Sequence, residues 1–159
     1  TEVDSFSRGL GPQEGMLLTA DHGILDIPPT AHVLFDENPA LIQGVRHIAG
    51  DPRCLQLHCE PDLASADRER LRQSWIDVEG DRAWVVTRNE AIQAGWFGGV
   101  LAGIRPRIGD LLIAARKNIA YYDSRAKPES ARNMIGQHGS WSTEELVVPL
   151  LRFGAFERD

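Results

Sequence analysis

Gly15-Met16-Leu17-Leu18-Thr19-Ala20-Asp21-His22-Gly23 is the stretch on which the reading of this chain turns. Its first half is a short apolar run of the kind a buried parallel strand presents, and it stops abruptly at a carboxylate, an imidazole and a glycine. In α/β sheets the carboxyl ends of buried strands are where ligand sites form. Asp21 and His22 offer the mixed oxygen and nitrogen donors that zinc accepts, and Gly23 leaves room for a metal or substrate against the backbone. The same three residues also describe an ordinary turn with a hydrogen-bonded aspartate. A second histidine bracketed by glycines, in Gly136-Gln137-His138-Gly139-Ser140, moves the reading toward chemistry. Asp21, His22 and His138 together are still one donor short of a closed tetrahedral site.

Working outward, Val3, Phe6 and Leu10 stand at helical spacing before Gly9, Gly11 and Pro12 stop them, which reads as the tail of a longer helix. Beyond the first motif an alternating series is expected. A strand from His32 to Phe35 leads to a helix capped by Asn38, with Pro39 at its first position, Leu41, Ile42, Val45 and Ile48 inward, and an end at Gly50. A strand from Cys54 to Cys59 follows, then a helix from about Ala64 to Glu79 with Leu71, Trp75 and Val78 as its inward stripe, then a strand from Ala83 to Val86. Thr87 and Glu90 form a capping box that opens a short helix up to Gly95. Asp110 to Ala114 and Asn118 to Tyr122 read as two strands joined tightly through Arg116 and Lys117, and Ala126 to Met134 as polar loop. A second capping box, Ser142 with Glu145, precedes an apolar run from Val147 to Phe153 that Pro149 confines to an edge.

Composition excludes several classes. A chain of 159 residues that is 42% hydrophobic can bury one good core. Its 23 acidic and 17 basic residues are interleaved and sum to a net charge of -6, which disfavours a groove for duplex nucleic acid. Cys54 and Cys59 fall on opposite faces of one strand and cannot be bridged there, so free thiols and a reducing compartment are expected. The apolar stretches Leu111 to Ala115 and Leu146 to Leu151 are far too short to span a bilayer. The expectation is a cytoplasmic chain with no membrane partner.

Plainer roles suffice elsewhere. His32, His47 and His58 lack a glycine context and read as half-buried or exposed, and Trp75 and Trp84 fall on apolar stripes and read as core. Packing is the simpler account of Trp96-Phe97, with a substrate cleft as the alternative; Trp141, just after His138, could wall the site. Ser140 reads as a loop-shaping residue, Asp26 as a turn residue, and Arg116 and Lys117 as hairpin charges.

The paired motifs Thr19-Ala20-Asp21-His22-Gly23 and Gly136-Gln137-His138-Gly139-Ser140, in that order, resemble the C-terminal metal motifs of the alkaline phosphatase superfamily, closest to its type I phosphodiesterase/nucleotide pyrophosphatase family. The resemblance runs through the Ala91 to Gly98 segment to the tail Val147-Val148-Pro149-Leu150-Leu151. It implies an α/β fold: a partial alkaline phosphatase-like core sheet, in residues 1–31 and 99–159, with a small α/β subdomain inserted at 32–98. In that family seven ligands hold two zinc ions and a Thr or Ser hydroxyl is the nucleophile. Carried over by motif, Asp21 and His22 would bind the ion that also activates the nucleophile, and His138 the second ion. The remaining ligands and the nucleophile match no segment here, so no catalytic residue is assigned and no substrate-binding residue is named.

The resemblance therefore implies the C-terminal part of a two-metal hydrolase acting on phosphoester or nucleotide substrates. Alone, it should bind metal weakly and not turn over. Its exposed sheet edge should pair with a missing N-terminal half or with another copy of itself. A phosphomonoesterase or phosphomutase of the same superfamily is the nearest alternative. A non-catalytic binding module is a further one, against which the intact Asp21, His22 and His138 argue.

Overall fold

In a computed structural model, residues 1–126 and 129–157 are described; residues 127 and 128, within the expected loop from Ala126 to Met134, and residues 158 and 159 lie outside that range. The fold is α/β. Its centre is a four-stranded antiparallel sheet of β4 (Val45–Asp51), β5 (Cys54–Cys59), β6 (Ala83–Thr87) and β7 (Leu111–Ala115), in the order β4-β5-β7-β6. β5 alternates half-buried and buried positions as a strand with one face on a core should, whereas β7 is buried at every residue because both of its faces are covered. Helix α2 (Ser65–Glu79) lays Leu71 and Trp75 on one face. On the other, Leu112 packs with Ile108 and with Ala91 of α3 (Arg88–Gln93), the helix opened by the Thr87–Glu90 capping box. Trp75 is fully buried, donates its indole N–H to the Leu41 carbonyl at 2.9 Å and lies between the rings of Phe35 and Tyr121.

Several expectations are corrected. The helix expected from Asn38 to Gly50 does not form: Asn38 caps a single 3-10 turn, Pro39–Leu41, and the chain then runs extended as β4. Gly44, at φ +76°, breaks the helical path, and β4 gains a ladder with β5 that a helix could not make. The expected tight pairing of the strands flanking Arg116 and Lys117 is also absent. β8 (Ala120–Tyr122) instead pairs in parallel with β3 (His32–Leu34), because Arg53 donates to the carbonyls of Lys117 and Ile119 and leads the chain away from β7. Val78 and Trp84 are exposed; the buried residue at the end of α2 is Glu79, whose carboxylate accepts the Tyr121 hydroxyl at 2.8 Å.

β1 (Gly15–Thr19) is not a buried parallel strand. It pairs antiparallel with β10 (Leu150–Gly154) in a two-stranded ribbon, and Leu17, Leu150 and Leu151 stay exposed because one neighbour covers neither face. The helix before it, α1 (Glu2–Arg8), is opened by a capping box between Thr1 and Asp4. β4, β5 and β6 share their sheet with β7, so the ladder joins residues 32–98 to the segment that follows them. Among the described residues, no helix is long and apolar enough to cross a membrane.

Candidate metal centre

The two motifs, far apart in the chain, meet through a very short ladder. β2 (Leu25–Asp26) pairs antiparallel with β9 (Gly136–Gln137), and the register continues as Ile27 N–H donates to the Ile135 carbonyl at 2.8 Å. This sets His22 beside His138, their rings stacked with centroids 3.7 Å apart and planes within 16°. Asp21 is exposed, one carboxylate oxygen 3.7 Å from His22 Nε2. His22 Nδ1 lies 2.8 Å from the Gly23 carbonyl, which can only accept; the neutral ring therefore carries its proton on Nδ1 and keeps the Nε2 lone pair free.

The glycines that follow the two histidines, Gly23 and Gly139, have a steric reason. A Cβ on Gly23 would sit 1.8 Å from the Glu144 carbonyl oxygen, so the loop after His22 can approach the backbone of α4 (Thr143–Leu146) only without a side chain. Gly139 has φ +119° and a Cβ there would meet Asp51 at 2.8 Å.

What holds these loops is a buried ion pair. Arg53 and Glu145 are 1% and 2% exposed. Arg53 Nε and Nη2 donate to Glu145 Oε1 and Oε2 at 2.8 and 2.9 Å, a bidentate arrangement. Oε1 also accepts the Ser140 N–H at 2.9 Å and Oε2 the Ser142 N–H at 3.1 Å. The Glu145 backbone carbonyl accepts the Gly23 N–H at 2.9 Å. Burial alone would raise the Glu145 pKa, but the Arg53 guanidinium and the two loop N–H donors outweigh it and hold the carboxyl down at about 2. Ser140 shapes the loop, its hydroxyl donating to the Ala115 carbonyl at 2.6 Å.

Among the described residues, no group of three or more His, Cys, Asp or Glu side chains is gathered so as to hold a metal ion. Asp21, His22 and His138 are brought together as neighbours, short of a coordination set. Asp26 lies on β2, not in a turn. His32 makes a tilted ring contact with Tyr122 and His47 one with His58, apart from the two motifs. Arg116 lies over the Trp84 ring at 5.3 Å, and the Lys117 carbonyl serves Arg53. Trp96 and Trp141 touch, ring centroids 5.3 Å apart, and with Trp84 line an open cleft of about 510 Å³. A smaller cleft of about 220 Å³ continues from them to Gly139 and Asp51. Neither of these clefts, nor one of about 450 Å³ between β4 and Tyr121, is lined by His22 or His138. Sequence reasoning saw Glu145 only as a helix cap and missed Arg53, which carries no local signature.

Residues 7–141 match the sequence model of a family described as type I phosphodiesterase / nucleotide pyrophosphatase. No curated protein matches the chain. Among solved structures, murine ectonucleotide pyrophosphatase / phosphodiesterase 5 is similar with a TM-score of 0.64 at 12% identity, over 96% of this chain and 37% of that one. Its human counterpart gives 0.59 at 11% identity, over 88% and 33%. Phosphonoacetate hydrolase from Sinorhizobium meliloti 1021, in complex with phosphonoformate, gives 0.59 at 16% identity, over 91% and 37%. One murine structure is of an inactive variant in complex with AMP. At these identities the likeness shows the fold, and the chain spans about a third of the length of each solved relative.

Proposed function

The chain belongs to the type I phosphodiesterase / nucleotide pyrophosphatase family, and from that premise we propose that it supplies one wall of a two-metal site hydrolysing phosphoester or phosphoanhydride bonds. The observation that carries the reading is the His22–His138 stack. In-plane lone pairs of two nearly parallel imidazoles cannot converge on one point between the rings, so two ions suit the pair better than one, and the 3.7 Å between ring centroids is of the order of the separation of about 3.5–4 Å between ions in a dinuclear site. His22 Nε2 and Asp21 would face one ion and His138 the other. Nitrogen and carboxylate donors of this kind suit zinc. When bound, such a pair lowers the pKa of an attacking hydroxyl or water and neutralises charge on the phosphoryl oxygens.

The chain's own contribution is to fix the donors. The Gly23 carbonyl holds the His22 tautomer, and Gly139 lets the His138 loop lie against Asp51. The cleft of Trp96 and Trp141, which reaches Gly139, is where the organic part of a phosphoester would rest. Ligands such as the AMP and phosphonoformate held by the relatives are of suitable class. No residue here is assigned as nucleophile. The apolar ribbon bearing Leu17, Leu150 and Leu151 would pack against further sheet of the family fold or against a second copy.

Zinc titration of this chain, with turnover of bis-4-nitrophenyl phosphate followed alongside, tests the proposal. Weak zinc uptake that falls in both His22→Ala and His138→Ala, with no turnover, is expected. Uptake unchanged in both variants would overturn the metal assignment, and hydrolysis by this chain would show that its nucleophile lies within it.

A further inference from the structure

The Glu145 backbone accepts the Gly23 N–H next to His22, while the Glu145 side chain accepts the N–H of Ser140, two residues beyond His138. One residue is thus bonded to both donor loops. It is anchored in turn to the four-stranded sheet: Arg53, its ion-pair partner, lies in the β4–β5 turn, and the Arg53 carbonyl accepts the Ala115 N–H of β7 at 2.8 Å. The Ser140 hydroxyl donates to the carbonyl of the same Ala115.

We propose that Glu145 is a positioning residue that sets the separation of His22 and His138, so that the spacing of the donors is built into the fold before any ion arrives. This rests on the two-metal reading for its consequence, though not for its geometry. A buried ion pair is a poor device for stability, since a well-packed apolar pair of similar volume often serves as well or better. An apolar pair cannot accept the N–H groups of Ser140 and Ser142. What the charged pair adds over an apolar one is the path of the loop carrying His138, and Gly23 is the one residue type that lets the His22 loop reach the Glu145 carbonyl.

The test separates position from stability. In Arg53→Met/Glu145→Leu, the Ser140 and Ser142 N–H groups and the Lys117 and Ile119 carbonyls lose their partners, so the urea midpoint should fall, and the ring signals are read without denaturant, where the variant is folded. The His22 and His138 ring resonances in imidazole proton–nitrogen spectra should lose the mutual ring-current shift of the stack. Zinc affinity should fall by about 10–100-fold, the range for lost supporting partners of metal ligands. Tyr121→Phe, which removes a buried hydrogen bond to Glu79 elsewhere in the same core, should leave both ring signals unchanged. Should the double variant not fold, Glu145→Gln is read in the same way, because its amide must turn a donor toward Arg53 Nε and the Ser140 N–H or toward Arg53 Nη2 and the Ser142 N–H, and can keep only one of the two pairs. Unmoved ring signals in the folded variant overturn the proposal. Moved ring signals support it even if the unaltered chain takes up no zinc, a result that would sink the two-metal reading alone.

Discussion

Replacing Arg53 by Met should change both how stable the protein is and how its stability depends on pH. The folded Glu145 carboxyl titrates at about 2 against an ordinary value of 4.5. A difference of that size corresponds to about 3 kcal/mol at neutral pH. Because the folded value is depressed, the unfolded chain takes up the proton first as acid is added. The contribution is therefore fully present above pH 4.5 and is lost as the pH falls toward 2. Without the guanidinium, burial, the largest influence on Glu145, acts against two backbone N–H donors alone, and its folded pKa must rise. At pH 7 the variant leaves a buried carboxylate without its counter-charge and should lose about 3–5 kcal/mol. Between pH 4.5 and 2 its stability should fall much less than that of the unaltered chain, so the two curves converge in acid. Glu90 and Asp123 are also held low, by the Thr87 N–H and the Arg125 guanidinium, but they contribute equally to both chains and cancel in the difference. Urea unfolding followed by tryptophan fluorescence at steps from pH 7 to 2.5 measures this. Parallel curves would refute the argument that Arg53 is what holds the carboxylate ionised.

Two further changes test the packing around the site and the core. Gly23→Ala puts a Cβ 1.8 Å from a backbone carbonyl that cannot swing aside, and should cost about 1–3 kcal/mol and separate the stacked histidines; an unaltered melting temperature would show that the close approach is not required. Trp75→Phe strands the buried Leu41 carbonyl and leaves a gap under α2, for an expected loss of about 2–4 kcal/mol, read as a shift of the urea midpoint at constant slope.

The two glycine-flanked histidine motifs that the structure brings together were legible because their signal is local. Asp21-His22-Gly23 and Gly136-Gln137-His138-Gly139 are short and polar, and Gly23 and Gly139 each answer a steric need that the structure displays. The helix of Leu71 and Trp75 and both central capping boxes were legible for the same reason, since spacing and caps act within a few residues. Where the reading failed, a distant partner decided. Leu41, Ile42, Val45 and Ile48 fit a helical stripe, yet Val45 and Ile48 also suit a strand, and the β5 ladder settled the choice. The chain after β7 looked like the second arm of a hairpin until Arg53, 64 and 66 residues from the two carbonyls it reaches, bound them. Trp84 looked like core because strand alternation does not say which face is covered.

The same division explains how so short a ladder can hold the two histidines side by side. β2 and β9 contribute two residues each, and an isolated strand pair, even a longer one, is marginal in water. Their pairing alone would leave His22 and His138 free to slide past each other. The added constraints all come from the sheet: Ala115 ties down Ser140, Arg53 ties down Glu145, and Glu145 ties down both loops. His22 and His138 held this way are tied to a strand that is buried at every residue without lying on it. Loosening β7 at Ala115 should then disturb the histidine stack before it unfolds the chain, whereas loosening the β1–β10 ribbon, which among the described residues shares no hydrogen bond with this network, should not.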